Sequence, residues 1–116
     1  MVNVLAIVFV ASVLVAAFTM FDRLVRLEYT SYRRDWEADG NPHGFFWVPQ
    51  EVRARSLIRS SLASRRCALV WIFSTPSWVR KDETAKRLLF WLRAFVGIWN
   101  ISLLLIVLFT FSHLFD

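Results

Sequence analysis

The sequence predicts an all-α membrane protein, in which two transmembrane helices form a hairpin and carry a basic cytoplasmic helical head with an interfacial or re-entrant segment. Three observations predict this fold class. Long uncharged stretches lie at both ends of the chain, all fourteen Lys and Arg residues lie between them, and 57% of the 116 residues are hydrophobic. This apolar content exceeds what one small soluble core requires, so a bilayer is the expected environment.

The first element is residues 1–21, which contain no charged side chain. As a helix at about 1.5 Å per residue it extends roughly 31 Å, which matches the hydrocarbon core of a bilayer. A cleaved signal peptide is the alternative. No basic residue precedes the apolar stretch, however, and Val15-Ala16-Ala17 fits a cleavage site poorly. We therefore expect a retained transmembrane helix.

The last element, residues 94–115, is the second expected transmembrane helix and carries one amide, Asn100. An amide that faced lipid would be unpaired, so Asn100 is expected to face another helix. In the first span, Ser12 and Ala16 form a pair of small residues four positions apart, which permits close helix approach. These three residues are the candidate helix-packing residues, either within this chain or against a foreign helix.

The charges of the central region, residues 22–93, predict its orientation. The region holds all the Lys and Arg residues and eight of the nine acids, which gives a formal charge of +6. Basic loops stay on the cytoplasmic side of a membrane. We therefore expect a cytoplasmic central region, with both termini pointing outward on the opposite side of the membrane.

Turn residues divide this central region into helices. The first helix is expected to continue through residues 22–38 and to stop at Asp39-Gly40-Asn41-Pro42. A second helix is expected over residues 51–73, ending before Pro76, because the residue before a proline is disfavoured in helical geometry. A third is expected to begin near Asp82, since acidic residues favour the start of a helix, and to continue into the second span.

Two segments of the central region carry apolar side chains that must be shielded from water. Phe45, Phe46 and Trp47 lie between a glycine and Pro49, and either lipid headgroups, this chain or another protein must cover them. Residues 67–79 are uncharged but too short to span a bilayer. Trp71 and Trp78 in this segment are therefore expected at the membrane interface, or packed on the two long helices. A docking role toward a partner is the functional alternative for all five aromatic residues.

Basic residues of the expected second helix are candidates for binding anionic lipid. They are Arg53, Arg55, Arg59, Arg65 and Arg66. Arginines beside a membrane meet anionic headgroups first, and the chain contains no recognisable nucleic-acid-binding motif. We therefore expect lipid rather than nucleic acid as the bound anion.

Residues for catalysis, cofactor binding or metal binding cannot be picked out. His43 lies in the central region and His113 near the outer end of the second span, so one chain cannot hold a haem between them. The one cysteine, Cys67, is expected to be a small buried residue. No phosphate-binding glycine loop and no zinc-ligand spacing occurs. We expect no enzymatic activity and no cofactor.

Short pieces along the chain resemble a known family. They are Asp39-Gly40, Gly44-Phe45-Phe46, Val52-Arg53, Leu69-Val70-Trp71, and Asp82-Glu83 ahead of Arg87 and Arg93. Strung between two terminal apolar helices, these pieces resemble the universal stress protein B family, although more residues separate GFF from LVW here. The resemblance implies a small bacterial inner-membrane protein associated with stress and stationary phase, without an established biochemical activity.

Two function classes agree with these observations. The first is a noncatalytic accessory or interaction subunit, or an assembly factor, whose partners are other integral membrane subunits of a larger inner-membrane complex. The second is a self-contained stress-associated membrane protein that binds anionic lipid and stabilises or senses the bilayer, as a homo-oligomer or alone.

Overall fold

The computed structural model describes residues 4–49 and 57–114, and within these ranges the chain is helical and contains no strand. The helices are α1 (Val4–Ser31), α2 (Arg33–Ala38), α3 (Leu57–Phe73), α4 (Ser77–Arg80) and α5 (Glu83–Leu114). Both α1 and α5 are long and apolar enough to cross a membrane by length and composition. The predicted all-α class and two long apolar helices are therefore confirmed.

The core lies where the C-terminal half of α1 packs against the N-terminal half of α5. Helical spacing places the buried side chains of each helix on one face. The buried residues are Ala17, Phe21, Leu24 and Val25 from α1, with Ala85, Leu89 and Leu92 from α5. Cys67 and Trp71 from α3, and Trp78 and Val79 from α4, complete this cluster. The shorter helices thus cover only the half of the long helices that carries charge.

The other halves of α1 and α5 leave their large apolar side chains uncovered. Phe9, Leu104 and Leu108 are each more than half exposed, at 52%, 57% and 56%. In the most hydrophobic window of α5 no residue is buried, and in that of α1 only 17% are. Exposed apolar side chains of this kind are compatible with an environment of lipid or of other membrane helices.

Polar side chains in these apolar halves bond to their own helix. Ser12, Thr19, Asn100 and Thr110 each donate to the carbonyl oxygen four residues earlier, at 2.7–2.8 Å. Such bonds satisfy a polar donor without a second helix. Among the described residues, Asn100 makes no interhelical bond, and its Nδ2 donates to the Val96 carbonyl instead.

The first helix breaks at Tyr32, although the sequence predicts one helix to residue 38. Tyr32 has φ −132° and ψ 58°, and α2 begins at the next residue. The phenolic oxygen of Tyr32 donates to Asp82 Oδ2 at 2.8 Å, and its ring lies 5.1 Å from that of Trp78. Contacts with distant residues thus fix a backbone geometry that no local Pro or Gly requires.

The boundaries of α3 and α5 follow the turn signals in the sequence. α3 ends at Phe73, before Pro76, as predicted. Its predicted start at residue 51 lies outside the described residues. Asp82 caps α5, because its Oδ1 accepts the backbone N–H groups of Thr84 at 2.9 Å and Ala85 at 3.1 Å. The short helix α4 between them was not predicted.

Candidate membrane-interface site

A single carboxylate fixes the aromatic loop onto α1. Asp22, the first charged residue of the chain, is buried and accepts the backbone N–H groups of Phe45 at 2.6 Å and Phe46 at 2.7 Å. Gly44 lies so close to this carboxylate that a Cβ atom there would collide with it. The Gly44 N–H closes the loop by donating to the Trp47 carbonyl at 2.8 Å. The glycine before the aromatic residues therefore permits the approach of a charged acceptor.

Phe45 and Phe46 lie on α1 and stay partly open. The Phe45 ring stacks on Phe18 with centroids 4.0 Å apart, and it lies 5.5 Å from Phe21. Phe46 meets the same Phe18 ring edge-on at 6.2 Å. Nevertheless 51% of Phe45 and 64% of Phe46 remain exposed. The chain itself covers one face of this pair of rings, and the other face is exposed.

Trp47 packs more fully against its own chain. Its ring lies 5.3 Å from the Tyr29 ring, and the Arg26 guanidinium lies 5.9 Å from its centroid. Tyr29 in turn meets the buried ring of Trp36 edge-on at 4.8 Å. Trp47 therefore ties the loop to the charged part of α1, whereas the two Phe rings reach its apolar part.

Serine side chains on α3 hold the other side of the loop. Ser60 Oγ donates to the Asn41 carbonyl at 2.6 Å, and Ser64 Oγ accepts the His43 N–H at 2.7 Å. The His43 ring nitrogen Nε2 lies 3.0 Å from Ser61 Oγ. The loop between α2 and α3 is thus bonded to both α1 and α3, and His43 serves as one of its structural residues.

The exposed Phe pair lies at the boundary between the apolar and charged parts of α1. Phe18 and Phe21 belong to the last turn of the first uncharged stretch, and the exposed Arg23 and Arg26 follow directly. Aromatic side chains are favoured at the headgroup level of a bilayer, with cations just outside it. The loop thus brings Phe45 and Phe46 to the level at which the sequence predicts the membrane surface.

Trp71 and Trp78 are placed differently, because both are buried, at 2% and 3% exposure. Their rings lie 5.9 Å apart, and Trp71 is 5.4 Å from Phe21. One face of residues 67–79 therefore packs on the long helices, which is one of the two arrangements expected. An interfacial or docking role for these two rings stays a prediction that the packing does not support, because the chain itself covers both rings.

An exposed apolar stripe runs along the outer face of α3. It consists of Ile58, Leu62, Leu69 and Phe73, which are 62–85% exposed. At 100° per residue these four side chains fall within about 60° of one another around the helix. Arg65 and Arg66, also exposed, flank the stripe. Sequence reasoning singled out the tryptophans of this helical region and overlooked the stripe, although its helical spacing is readable in the sequence.

The C-terminal end of α3 is tied to α5 by Arg93. Its Nε and Nη2 donate to the Trp71 carbonyl at 3.1 and 2.9 Å, and Nη2 also donates to Thr75 Oγ1 at 3.1 Å. A cation at this end satisfies carbonyl groups that lack a helical partner and complements the helix dipole. Arg93 is therefore a structural residue as well as the last charge before the uncharged stretch of α5.

The candidate lipid-binding arginines can be placed only in part. Arg53 and Arg55 lie outside the described residues, and the side chain of Arg59 does too. Arg65 and Arg66 are exposed and free of salt bridges shorter than 4 Å within the described part of the chain. Their predicted role toward anionic lipid stays a prediction.

The candidate helix-packing residues lie beside the core face rather than on it. Ala17 is buried between α1 and α5, whereas Ala16 is half-buried and Ser12 is exposed. Asn100 is exposed as well. Packing within this chain thus uses Ala17, and a packing role of the other three toward a further helix stays a prediction.

The sequence did not predict that several polar side chains are buried. Asp22 and Ser64 are only 8% exposed, and Glu28 is fully buried. Helical spacing signals Ser60 and Ser64 as one face of α3, but the burial of the two acids has no local signal. Cys67 is buried as predicted, and burial raises the pKa of its thiol to about 12. No group of three or more potential metal ligands occurs among the described residues.

Comparisons with protein-family models, with curated proteins and with solved structures give no match for this chain. The resemblance to the universal stress protein B family stays a prediction.

Proposed function

We propose that this chain is a noncatalytic integral membrane protein that acts as an accessory subunit or assembly factor of a larger complex in a bacterial inner membrane. In this proposal α1 and α5 form a transmembrane hairpin, and residues 22–93 form a cytoplasmic head. The partners are other integral membrane subunits, which contact the apolar helices and the head together.

The observation that carries this proposal is the exposed apolar stripe on α3. Lipid alone suffices to cover the apolar halves of α1 and α5, but the stripe belongs to a helix that lies in the charged part of the chain. Four large apolar side chains on one helix face are typical of a surface that another helix or a membrane covers. The aromatic loop is hydrogen-bonded to Asp22 and to the serines of α3, and Arg93 is bonded to the end of α3. These bonds hold the helix that carries the stripe in position.

Blue-native electrophoresis of membranes solubilised in mild detergent tests the proposal. The wild-type chain is expected to migrate with a larger complex, and the double variant Leu69→Ser/Phe73→Ser is expected to dissociate from it. Val70→Ser is the matched control, because Val70 is 48% exposed but lies outside the stripe. Migration of the wild-type chain as a monomer or homo-oligomer would reject the subunit role.

A second candidate function is binding of anionic lipid by a self-contained membrane protein. It is favoured by the position of the exposed Arg65 and Arg66 beside the stripe, which resembles the basic edge of a helix lying on a membrane surface. If this function holds, phosphatidylglycerol should raise the thermal stability of the purified chain more than phosphatidylcholine does. Equal effects of the two lipids would exclude it.

A further inference from the structure

We infer that the junction of α1, α3 and α5 binds one anionic phospholipid, with its headgroup at Arg65 and one acyl chain in the adjoining apolar cleft. This inference deepens the second candidate function and rests on it, and it names the site and the ligand.

The apolar cleft lies between the three helices and has a volume of about 170 Å³. Phe18 from α1, Ala68 and Ile72 from α3, and Val96 from α5 are among its lining residues. Apolar cavities of comparable size stay dry and take up apolar ligands. In a bilayer, the apolar ligand present at the highest concentration is an acyl chain.

A second recess, of about 200 Å³ and lined by both polar and apolar side chains, adjoins this cleft. His43, Ser61 and Arg65 line the recess, and Phe45 lines both the recess and the cleft. The side chain of Arg65 is exposed, so its guanidinium can meet a phosphate group, for which its planar donors are suited. The recess therefore places the Arg65 cation directly beside an apolar space, next to His43 and Ser61, whose side chains bond to each other.

One face of α3 joins the two cavities. Ser61, Arg65, Ala68 and Ile72 fall within about 60° of one another around the helix, and the face changes from polar to apolar along it. The cleft continues to Leu14 and Asn100, which lie in the two uncharged stretches. The polarity of the site thus runs from the charged head toward the expected hydrocarbon region, as it does along a phospholipid.

Trp99 is a residue of the cleft whose polar group is covered by other side chains. It is one of the lining residues, and its indole Nε1 is buried without a hydrogen-bond partner in the described part of the chain. A buried donor of this kind is costly unless an acceptor is present. The ester oxygens of a phospholipid are such acceptors, whereas a bare hydrocarbon has none.

Native mass spectrometry of the detergent-purified full chain tests the site, with dioleoyl phosphatidylglycerol or dioleoyl phosphatidylcholine added. The wild-type chain is expected to retain one phosphatidylglycerol, saturating at one per chain, and to retain phosphatidylcholine far less. Arg65→Gln should weaken the retention about fivefold, the effect of roughly one basic residue near an anionic surface. Arg66→Gln removes the same charge but lines a different recess, beside Asp39, and should change retention less than twofold.

A second variant tests the acyl-chain half of the site. Ala68→Leu fills the cleft and should reduce retention of the lipid while Arg65 stays in place. Circular dichroism and thermal unfolding in lipid-free detergent show whether this variant keeps its fold. If it unfolds, Arg65→Gln keeps the test decisive, because it alters an exposed side chain.

Four results would overturn the inference. Equal weakening by Arg65→Gln and Arg66→Gln, or phosphatidylglycerol adducts that do not saturate at one, would remove the site and leave the second candidate function standing. Equal retention of the two lipids would remove both the site and that function. Displacement of the lipid by inorganic phosphate at equal concentration would show that the cleft contributes nothing.

Discussion

The carboxylate of Asp22 occupies the space that a side chain on residue 44 would need, so Gly44 and Asp22 are fitted to one another across the junction of loop and helix. This approach lets a buried carboxylate accept two backbone N–H groups of the loop. Hydrogen bonds to a charged acceptor are among the stronger ones in proteins. The loop therefore has a defined position on α1.

Replacing Gly44 with Ala is expected to lower the free energy of unfolding by about 1–3 kcal/mol, because the added methyl group pushes the loop off Asp22. Chemical unfolding in detergent measures this change. Gly97→Ala is the matched control: a Cβ at residue 97 meets nothing within 4 Å. Because Gly97 lies inside α5, this control should be neutral or stabilising by up to about 1 kcal/mol. Equal effects of both substitutions would contradict the close fit of Gly44 against the Asp22 carboxylate.

A spin label at residue 46 is expected to sit at the membrane surface. In a Cys67→Ala background, Phe46→Cys can be labelled selectively, because Cys67 is the one cysteine of the sequence. Electron paramagnetic resonance in lipid vesicles should show more collisions with oxygen than with a water-soluble nickel reagent. Glu37→Cys, at an exposed position on α2, provides the water-facing reference. Identical accessibility at the two positions would refute membrane contact by the loop.

The bond between Tyr32 and Asp82 is expected to make stability depend on acid pH. The Tyr32 hydroxyl, followed by the backbone N–H of Ala85, holds the pKa of Asp82 below its usual 3.8. A lowered pKa in the folded state stabilises the fold above the ordinary carboxyl pKa, and this stabilisation is lost as pH falls through the folded value. Tyr32→Phe should raise the pKa of Asp82 and shrink this acid-dependent loss. Carboxyl titration by nuclear magnetic resonance measures both, and an unchanged Asp82 titration would contradict the role of the bond.

The thiol of Cys67 is expected to be nearly inert in the folded chain. It is 3% exposed, and burial raises its pKa from 9.0 to about 12. This shift alone lowers the reactive thiolate fraction at neutral pH roughly a thousandfold. Labelling with N-ethylmaleimide should therefore follow unfolding, as monitored by mass spectrometry across a denaturant series. Rapid labelling without denaturant would show that α3 is not packed as described.

The proposed orientation predicts which residues are accessible from each side of the membrane. In the Cys67→Ala background, a membrane-impermeant maleimide should label Glu37→Cys only after the inner membrane is opened. A cysteine appended after Asp116 should be labelled in intact spheroplasts. The charge distribution is the reason, because the basic region is expected to stay in the cytoplasm. The reverse labelling pattern would place residues 22–93 outside the cytoplasm, and it would contradict the proposed cytoplasmic partners.

The helices that the sequence predicts well are those with local signals. The uncharged stretches predict α1 and α5, Pro76 predicts the end of α3, and Asp82 predicts the start of α5. The break at Tyr32 is not predictable in this way, because residues about fifty positions later cause it. Local propensity is a weak guide where contacts between distant residues decide the backbone.

In the candidate site too, features with a local sequence signal are predictable, and features that depend on tertiary packing are not. An anomalously apolar loop can be recognised from Phe45, Phe46 and Trp47 alone. That Asp22 lies beneath the loop depends on how α1, α3 and the loop meet, which no residue spacing specifies. Trp71 shows the converse: a tryptophan near arginines has the composition of an interfacial residue, yet its helix presents it to the core.

The hydrogen bonds of Arg93 link the end of α3 to α5, so that a movement of one helix affects the other. The guanidinium joins α5, just before its uncharged stretch, to the last turn of α3. A helix in a bilayer tilts when the bilayer thickness changes, to keep its apolar length in hydrocarbon. Because Arg93 holds the end of α3, a tilt of α5 carries that end with it. In the proposed transmembrane arrangement, a change in bilayer thickness would therefore displace the exposed face of α3.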